Sequence, residues 1–186
     1  MKGSIFVIAG PSGAGKSSIV NQVVSKRPDA VESVSHTTRA MREGETCGID
    51  YHFRSVEEFE SDLKAGKFIE SFKVFDNHYG TAKADLENLV AAGKNVLMVL
   101  DYQGALELKR ILGDQLVTIF VTTPNEQTLE RRLKSRNTDD EATINKRLKE
   151  AKKELSQAHN FEHIIVNNEL ERAVNALNYI IDLRAA

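Results

Sequence analysis

The sequence predicts an α/β fold in which a parallel sheet is flanked by helices, and three observations predict it. Short apolar runs rich in β-branched residues recur at Ile5–Ala9, Val96–Leu100, Val117–Val121 and Ile164–Val166, and unbroken runs of this kind suit strands buried on both faces. Sequence with helical spacing separates them, the alternation expected of parallel strands joined by crossover helices. The third observation is a glycine-rich loop, Gly10-Pro11-Ser12-Gly13-Ala14-Gly15-Lys16-Ser17, placed directly after the first run and before the apolar helical positions Ile19, Val20, Val23 and Val24.

In chain order, Ile5–Ala9 is the first central strand and the stripe after Lys16 the first helix. Three later helix starts carry a hydroxyl residue with Glu three positions on, the spacing of a capping box: Ser55 with Glu58, Thr123 with Glu126, and Thr138 with Glu141. Pro124 then takes the first helical position of the second. Gly66, Gly93 and Gly113 fall where helices stop. Leu170, Val174, Leu177 and Ile181 are spaced to share one face of a closing helix. Two stretches depart from the alternation. Residues 33–81 mix short strands with one helix and are rich in hydroxyl, Arg and Tyr side chains, which reads as an inserted mixed α/β lobe. Residues 125–157 carry two charged helices joined near Arg136-Asn137-Thr138-Asp139, which reads as a helical lid. The core then comprises 1–32, 82–124 and 158–186.

A chain of 186 residues fits one globular core with a small inserted lobe. Its formal net charge of -2 excludes the global basic excess of a nucleic-acid binder, so any phosphate site must be local. Cys47 is the only cysteine, which rules out an intrachain disulfide and a cysteine-rich metal centre. His36, His52, His78, His159 and His163 show no metal-ligand spacing. The early apolar run is shorter than a signal-peptide core or a membrane span. The expectation is a cytoplasmic protein acting on small molecules, with no nucleic acid, membrane or obligate protein partner.

The glycine-rich loop carries the first chemistry. Glycines permit a tight turn whose backbone N–H groups converge, the following helix N-terminus adds positive potential, and Lys16 supplies a full charge for β- and γ-phosphates. The Ser17 hydroxyl is placed to hold Mg²⁺. Gly10 to Ser17, with Ser18 beyond, thus form a candidate site for the phosphates of a nucleoside triphosphate. This P-loop does not say what receives the phosphate, because GTPases, ATPases and small-molecule kinases share it.

From Ser33 the chain reads Ser33-Val34-Ser35-His36-Thr37-Thr38-Arg39, then Arg42, Gly44-Glu45, Gly48 and Tyr51. Here it resembles the guanylate kinases. The likeness continues in order at Phe68-Ile69-Glu70, Asn77-His78-Tyr79-Gly80-Thr81, Asp101-Tyr102-Gln103-Gly104, Arg131-Arg132-Leu133 through Arg136, Lys146-Arg147 and Ile165-Val166-Asn167. It implies transfer of the γ-phosphoryl group of MgATP to GMP, and to dGMP, with residues 33–81 binding GMP.

Guanine offers donors at N1 and N2 and an acceptor at O6, so a selective pocket needs carboxylates on one edge and hydroxyls on the other. Glu70 and Asp101 are the candidate carboxylates, and Ser35 and Thr81 the candidate hydroxyls. The resemblance places Arg39, Arg42 and Tyr51 on the acceptor phosphate, where a guanidinium fork suits phosphate oxygens. It puts Tyr79 at the acceptor, Asn167 at the donor base, and Arg132, Arg136 and Arg147 over the transferring phosphates. With Lys16, these arginines form the candidate catalytic set, since positioned cations are the main help a protein gives a phosphoryl group in flight. No general base is evident, and none is needed when the attacking oxygen belongs to a phosphate with a second pKa of about 6. The chain also departs from the family. Val99 stands where an acid is usual two positions before Asp101, Ala40-Met41 replace a proline-rich turn, and Ser135 and Asn137 replace glycines beside Arg136. Three rival readings stay in view: a non-catalytic guanylate-kinase-like binding module, a kinase for another nucleoside monophosphate, and a regulatory GTPase.

Overall fold

The computed structural model describes residues 3–74, 76–135 and 141–185. Two sheets form. The larger has five parallel strands, β1 (Ile5–Ala9), β2 (Ala30–Glu32), β7 (Asn95–Val99), β8 (Leu116–Thr122) and β9 (His163–Val166), in the order β2-β7-β1-β8-β9. The smaller contains β3 (His36–Thr37), β4 (His52–Phe53), β5 (Phe68–Val74) and β6 (Asn77–Ala82), in the order β4-β3-β6-β5. The helices are α1 (Lys16–Lys26), α2 (Val56–Lys64), α3 (Lys83–Ala91), α4 (Tyr102–Leu112), α5 (Glu126–Lys134), α6 (Glu141–Leu155) and α7 (Leu170–Ala185).

Strand β1 shows why its sequence lacks alternation. Successive side chains point to opposite faces, and both faces are covered. Phe6 and Ile8 join Ile19, Val20 and Val23 of α1 and Val174, Leu177 and Ile181 of α7. Ile5, Val7 and Ala9 join Leu86 of α3 and Ala105 and Leu108 of α4. Each fully buried Val, Leu, Ile or Phe contributes roughly 1.5–3 kcal/mol. A third, smaller cluster joins Leu129 and Leu133 of α5 to Ala151 of α6.

Helix ends follow their local chemistry, with one correction. The Ser55–Glu58 capping box forms in both directions on α2. Gly66, Gly93 and Gly113 follow α2, α3 and α4 with positive φ. The Thr123–Glu126 box does not form. Strand β8 runs on through Thr122, so the chain leaves the sheet too late for Thr123 to cap. Instead Asn125 caps α5 by accepting from Thr128 N at 2.8 Å, while Thr123 Oγ1 donates to Asn125 O at 2.9 Å. In α7 the expected stripe is also adjusted. Val174, Leu177 and Ile181 are buried, but Leu170, at the first residue of the helix, is 38% exposed. Arg136 and Thr138 lie outside the described residues. Among the described residues no helix is long and apolar enough to cross a membrane.

Candidate active site

The glycine-rich loop leaves the C-terminal end of β1 and enters α1. The same rim of the sheet holds Asp101 after β7 and Asn167 after β9. In open parallel sheets this rim is where ligands bind, because loops of different strands converge there. The loop seat demands glycine at two places. A Cβ on Gly10, at φ +132°, would lie 2.0 Å from Val121 O, and one on Gly15, at φ +94°, 2.3 Å from Asn167 Nδ2. Lys16 Nζ donates to the carbonyls of Gly10 and Pro11, which holds the ammonium across the loop.

The far side of the loop is clamped. Buried Asn167 donates from Nδ2 to Ala14 O at 2.7 Å. Arg132 reaches from α5 to Ala14 O at 3.4 Å and to Asn167 O at 3.0 Å. One carbonyl thus gathers α1's approach, α5 and the end of β9. Asn167 Oδ1 is buried without a hydrogen-bond partner among the described residues. Arg147 is half-buried on α6.

A cleft of about 340 Å³ joins this loop to the second sheet. Its lining runs from Gly10, Ser12, Gly13, Gly15, Lys16, Ser17 and Ser18 to Ser35, Tyr51, Phe72 and Tyr79, with Val99 and Asp101 between. An adjoining cavity shares Ser17, Ser35, Tyr51, Tyr79 and Val99, and adds Arg39, Arg42 and Glu45. Of the residues expected for donor and acceptor, the loop residues Gly10, Ser12, Gly13 and Gly15 to Ser18 and the acceptor candidates Ser35, Arg39, Arg42, Tyr51, Tyr79 and Asp101 border these two adjoining cavities, whereas Glu70, Thr81 and Asn167 line neither.

Within the adjoining cavity, Arg39 is fixed by Glu45, Nη2 to Oε1 at 2.6 Å and Nη1 to Oε2 at 3.0 Å. Its guanidinium carbon lies 5.4 Å from the Tyr51 ring centre, within cation–π range. Burial raises the Tyr51 phenol above its ordinary pKa. Arg42 is exposed. Glu70 and Thr81 are register partners on β5 and β6. By strand alternation they share a face with Phe72 and Tyr79, whose rings stack at 5.8 Å in the cleft lining. Thr81 Oγ1 donates to Glu70 Oε1 at 2.7 Å, so the two side chains lie together here. Glu70 Oε2 is buried without a hydrogen-bond partner among the described residues, and burial pushes the carboxyl up to about 7. A buried acceptor left unmatched calls for a ligand donor or water.

Asp101 has a second task that its motif does not reveal: it caps α4, accepting from Gly104 N at 2.7 Å. Burial raises its pKa, opposed by the Gly104 and Gln103 amides and by Lys16. Glu154 of α6 also lines the cleft, and burial raises it against the pull of Lys16. Glu45 and Glu154 carried no assigned role in the sequence reading. The first is one of many surface-type acids near an arginine, and the second lies more than a hundred positions from Lys16, so only the packing of α6 reveals it.

A family model described as guanylate kinase matches residues 2–184. The chain belongs to the guanylate kinase family. A guanylate kinase from Chromohalobacter salexigens is 42% identical over 180 residues, covering 97% of this chain and 83% of that protein. A crystal structure of guanylate kinase from Anaplasma phagocytophilum superposes with a TM-score of 0.83 at 32% identity, covering 98% of this chain and 86% of that one. A shikimate kinase from Bacteroides thetaiotaomicron, at TM-score 0.53 and 16% identity with 96% of this chain and 98% of that chain covered, shares the fold alone. Membership of the guanylate kinase family therefore rests on sequence carried throughout the chain, including the segments of the smaller sheet that line the cleft.

Proposed function

We infer that the protein is an ATP:GMP phosphotransferase, moving the γ-phosphoryl group of ATP to the phosphate of GMP, with dGMP as a second acceptor. The observation that carries this reading is that the cleft bordered by Lys16 and the cavity bordered by Arg39 adjoin, sharing Ser17, Ser35, Tyr51, Tyr79 and Val99. Direct transfer needs both nucleotides in one water-poor space with reacting atoms aligned. In this reading the loop amides and Lys16 hold the donor's β- and γ-phosphates, and Asn167 faces its base. Arg39, Arg42 and Tyr51 hold the acceptor phosphate. Glu70 Oε2 accepts from guanine N1 or N2, and Ser35 and Asp101 complete the recognition. Arg132, Arg136 and Arg147 neutralise the charge that develops on the transferring group.

Among the described residues no group of three or more His, Cys, Asp or Glu side chains is arranged to hold a metal ion. This donor set fits Mg²⁺, which binds through substrate phosphates and one or two protein oxygens and keeps much of its water. Ser17 would hold the ion through its hydroxyl, and Asp101, in the same cleft lining, would accept from the ion's waters. When bound, Mg²⁺ draws charge from the β- and γ-phosphate oxygens.

A coupled assay offering GMP, dGMP, AMP and UMP as acceptors tests the reading. GMP and dGMP are expected to support turnover and the other two to fall short by orders of magnitude, since AMP has no N1–H or N2 amino group for the buried Glu70 acceptor and UMP sets a carbonyl where guanine has its N2 amino group. Glu70→Ala should collapse GMP turnover in a folded protein, and equal use of AMP by the wild type would refute the assignment.

A further inference from the structure

We propose that Glu45 is a positioning residue for the acceptor phosphate, aiming Arg39 by taking the edge of its guanidinium that the phosphate does not need. The proposal rests on the functional reading above. A guanidinium presents two forks, an end-on edge made by Nη1 and Nη2 and a side edge made by Nε and Nη2. In this protein the end-on edge is used up. Nη2 donates to Glu45 Oε1 at 2.6 Å, Nη1 donates to Glu45 Oε2 at 3.0 Å, and the other Nη1 hydrogen goes to Ala40 O at 2.7 Å. What remains is the side edge, and a phosphate accepts two parallel N–H groups from it as well as from the other.

Glu45 also organises the loop that carries the second arginine. Its Oε2 accepts from Arg42 N at 2.8 Å, so one carboxylate ties Arg39's side chain to Arg42's backbone. Both partners are poorly exposed, at 13% for the Arg39 side chain and 18% for Glu45, and the Tyr51 and Phe53 rings flank the guanidinium. The Tyr79 phenol bears on the same group. A long, rotamer-rich arginine is thereby held in one orientation before any ligand arrives, and preorganisation of this kind raises affinity by removing ordering cost. The loop lacks the prolines that would stiffen it, having Ala40 and Met41 instead, so the ion pair supplies the constraint. The Arg39 guanidinium keeps the Glu45 carboxyl below its ordinary range, so the pair stays charged near neutral pH.

The test separates aiming from mere structure by comparing ligands with and without a phosphate. Binding of GMP and of guanosine is measured calorimetrically for the wild type, Glu45→Gln and Glu45→Asp, together with MgADP binding and steady-state kinetics. Expected for Glu45→Gln is a loss of about tenfold or more in GMP affinity, the scale of a disturbed charge-assisted contact. Guanosine and MgADP affinities should stay within about twofold, and the acceptor KM should rise far more than kcat falls. Glu45→Asp, which keeps the charge, should recover part of the GMP loss. Equal losses for guanosine and GMP would overturn the proposal in favour of a structural role. Tighter GMP binding by Glu45→Gln would overturn it in favour of a carboxylate that competes with the phosphate. A wild type that binds neither guanosine nor GMP would instead refute the functional reading itself.

Discussion

At the scale of single residues, the most consequential group is Glu70, because it is held where an ionised carboxylate is disfavoured. Burial pushes it from 4.5 up to about 7, with the Thr81 hydroxyl opposing and Asp101 adding to the rise. The folded protein therefore binds more protons than the unfolded chain between those values, and its stability falls as pH rises through that window. At about 1.4 kcal/mol per pH unit the contribution is on the order of 3 kcal/mol. Glu70→Gln removes the ionisation, so its stability relative to wild type should improve between about pH 4 and about pH 8 by that order. Chemical denaturation at the two pH values checks it, and parallel curves would contradict it. On the proposed assignment of Glu70 to guanine, ligand binding should show the converse sign, since guanine's donors favour the ionised carboxylate. Guanosine, which has no titrating phosphate, should bind wild type less well as pH drops below about 7, whereas Glu70→Gln should bind it weakly with a flat profile.

At the scale of elements, Asp101 couples a helix to the cleft. Its side chain ends β7's exit loop, caps α4 through Gly104 N, and borders the cleft. Asn caps a helix about as well as Asp, whereas Ala forfeits the bond at roughly 1 kcal/mol. Asp101→Asn is therefore expected to keep wild-type stability yet lose most of its turnover, while Asp101→Ala should lose both. Thermal unfolding paired with kinetics separates the two functions, and an active Asp101→Asn would reduce the residue to a cap. The same logic applies to α5, whose cap Asn125 lies away from the cleft lining. Asn125→Ala should lower stability by about 1 kcal/mol without changing acceptor selectivity.

At the scale of the whole molecule, the decisive feature is that the two sheets border adjoining cavities. The parallel sheet presents the phosphate loop, the smaller sheet presents Tyr79, Phe72 and the arginine cluster, and Ser17, Ser35, Tyr51 and Val99 border both cavities. Linking adenosine and guanosine through a phosphate chain should then make the second contact intramolecular, at an effective concentration in the millimolar range. Such a ligand is expected to bind at least about a hundredfold more tightly than ADP or GMP alone. Calorimetry decides the matter, and an affinity no better than ADP's would mean that the two halves do not act on one reaction.

Much of this was present in the chain as written. Strand β1, the loop from Gly10 to Ser17 and the stripe Ile19, Val20 and Val23 followed from local rules, because burial on both faces, backbone freedom and helical period each act over a few residues. The Ser55–Glu58 box was legible for the same reason. Thr123 was misread as a cap because the length of β8, set by its pairing with β1 and β9, decides where α5 begins. Residue types also nominated Arg39, Glu70 and Asp101. They did not reveal that Thr81 donates to Glu70, that Glu45 occupies one edge of Arg39, or that Glu154 enters the cleft from α6. Such pairings depend on contacts between segments distant in sequence, and the free energy of a buried charge is fixed by everything packed around it. Composition and motif thus determined the family and the kind of chemistry, while tertiary packing alone decided which charges are matched and which are left for a ligand.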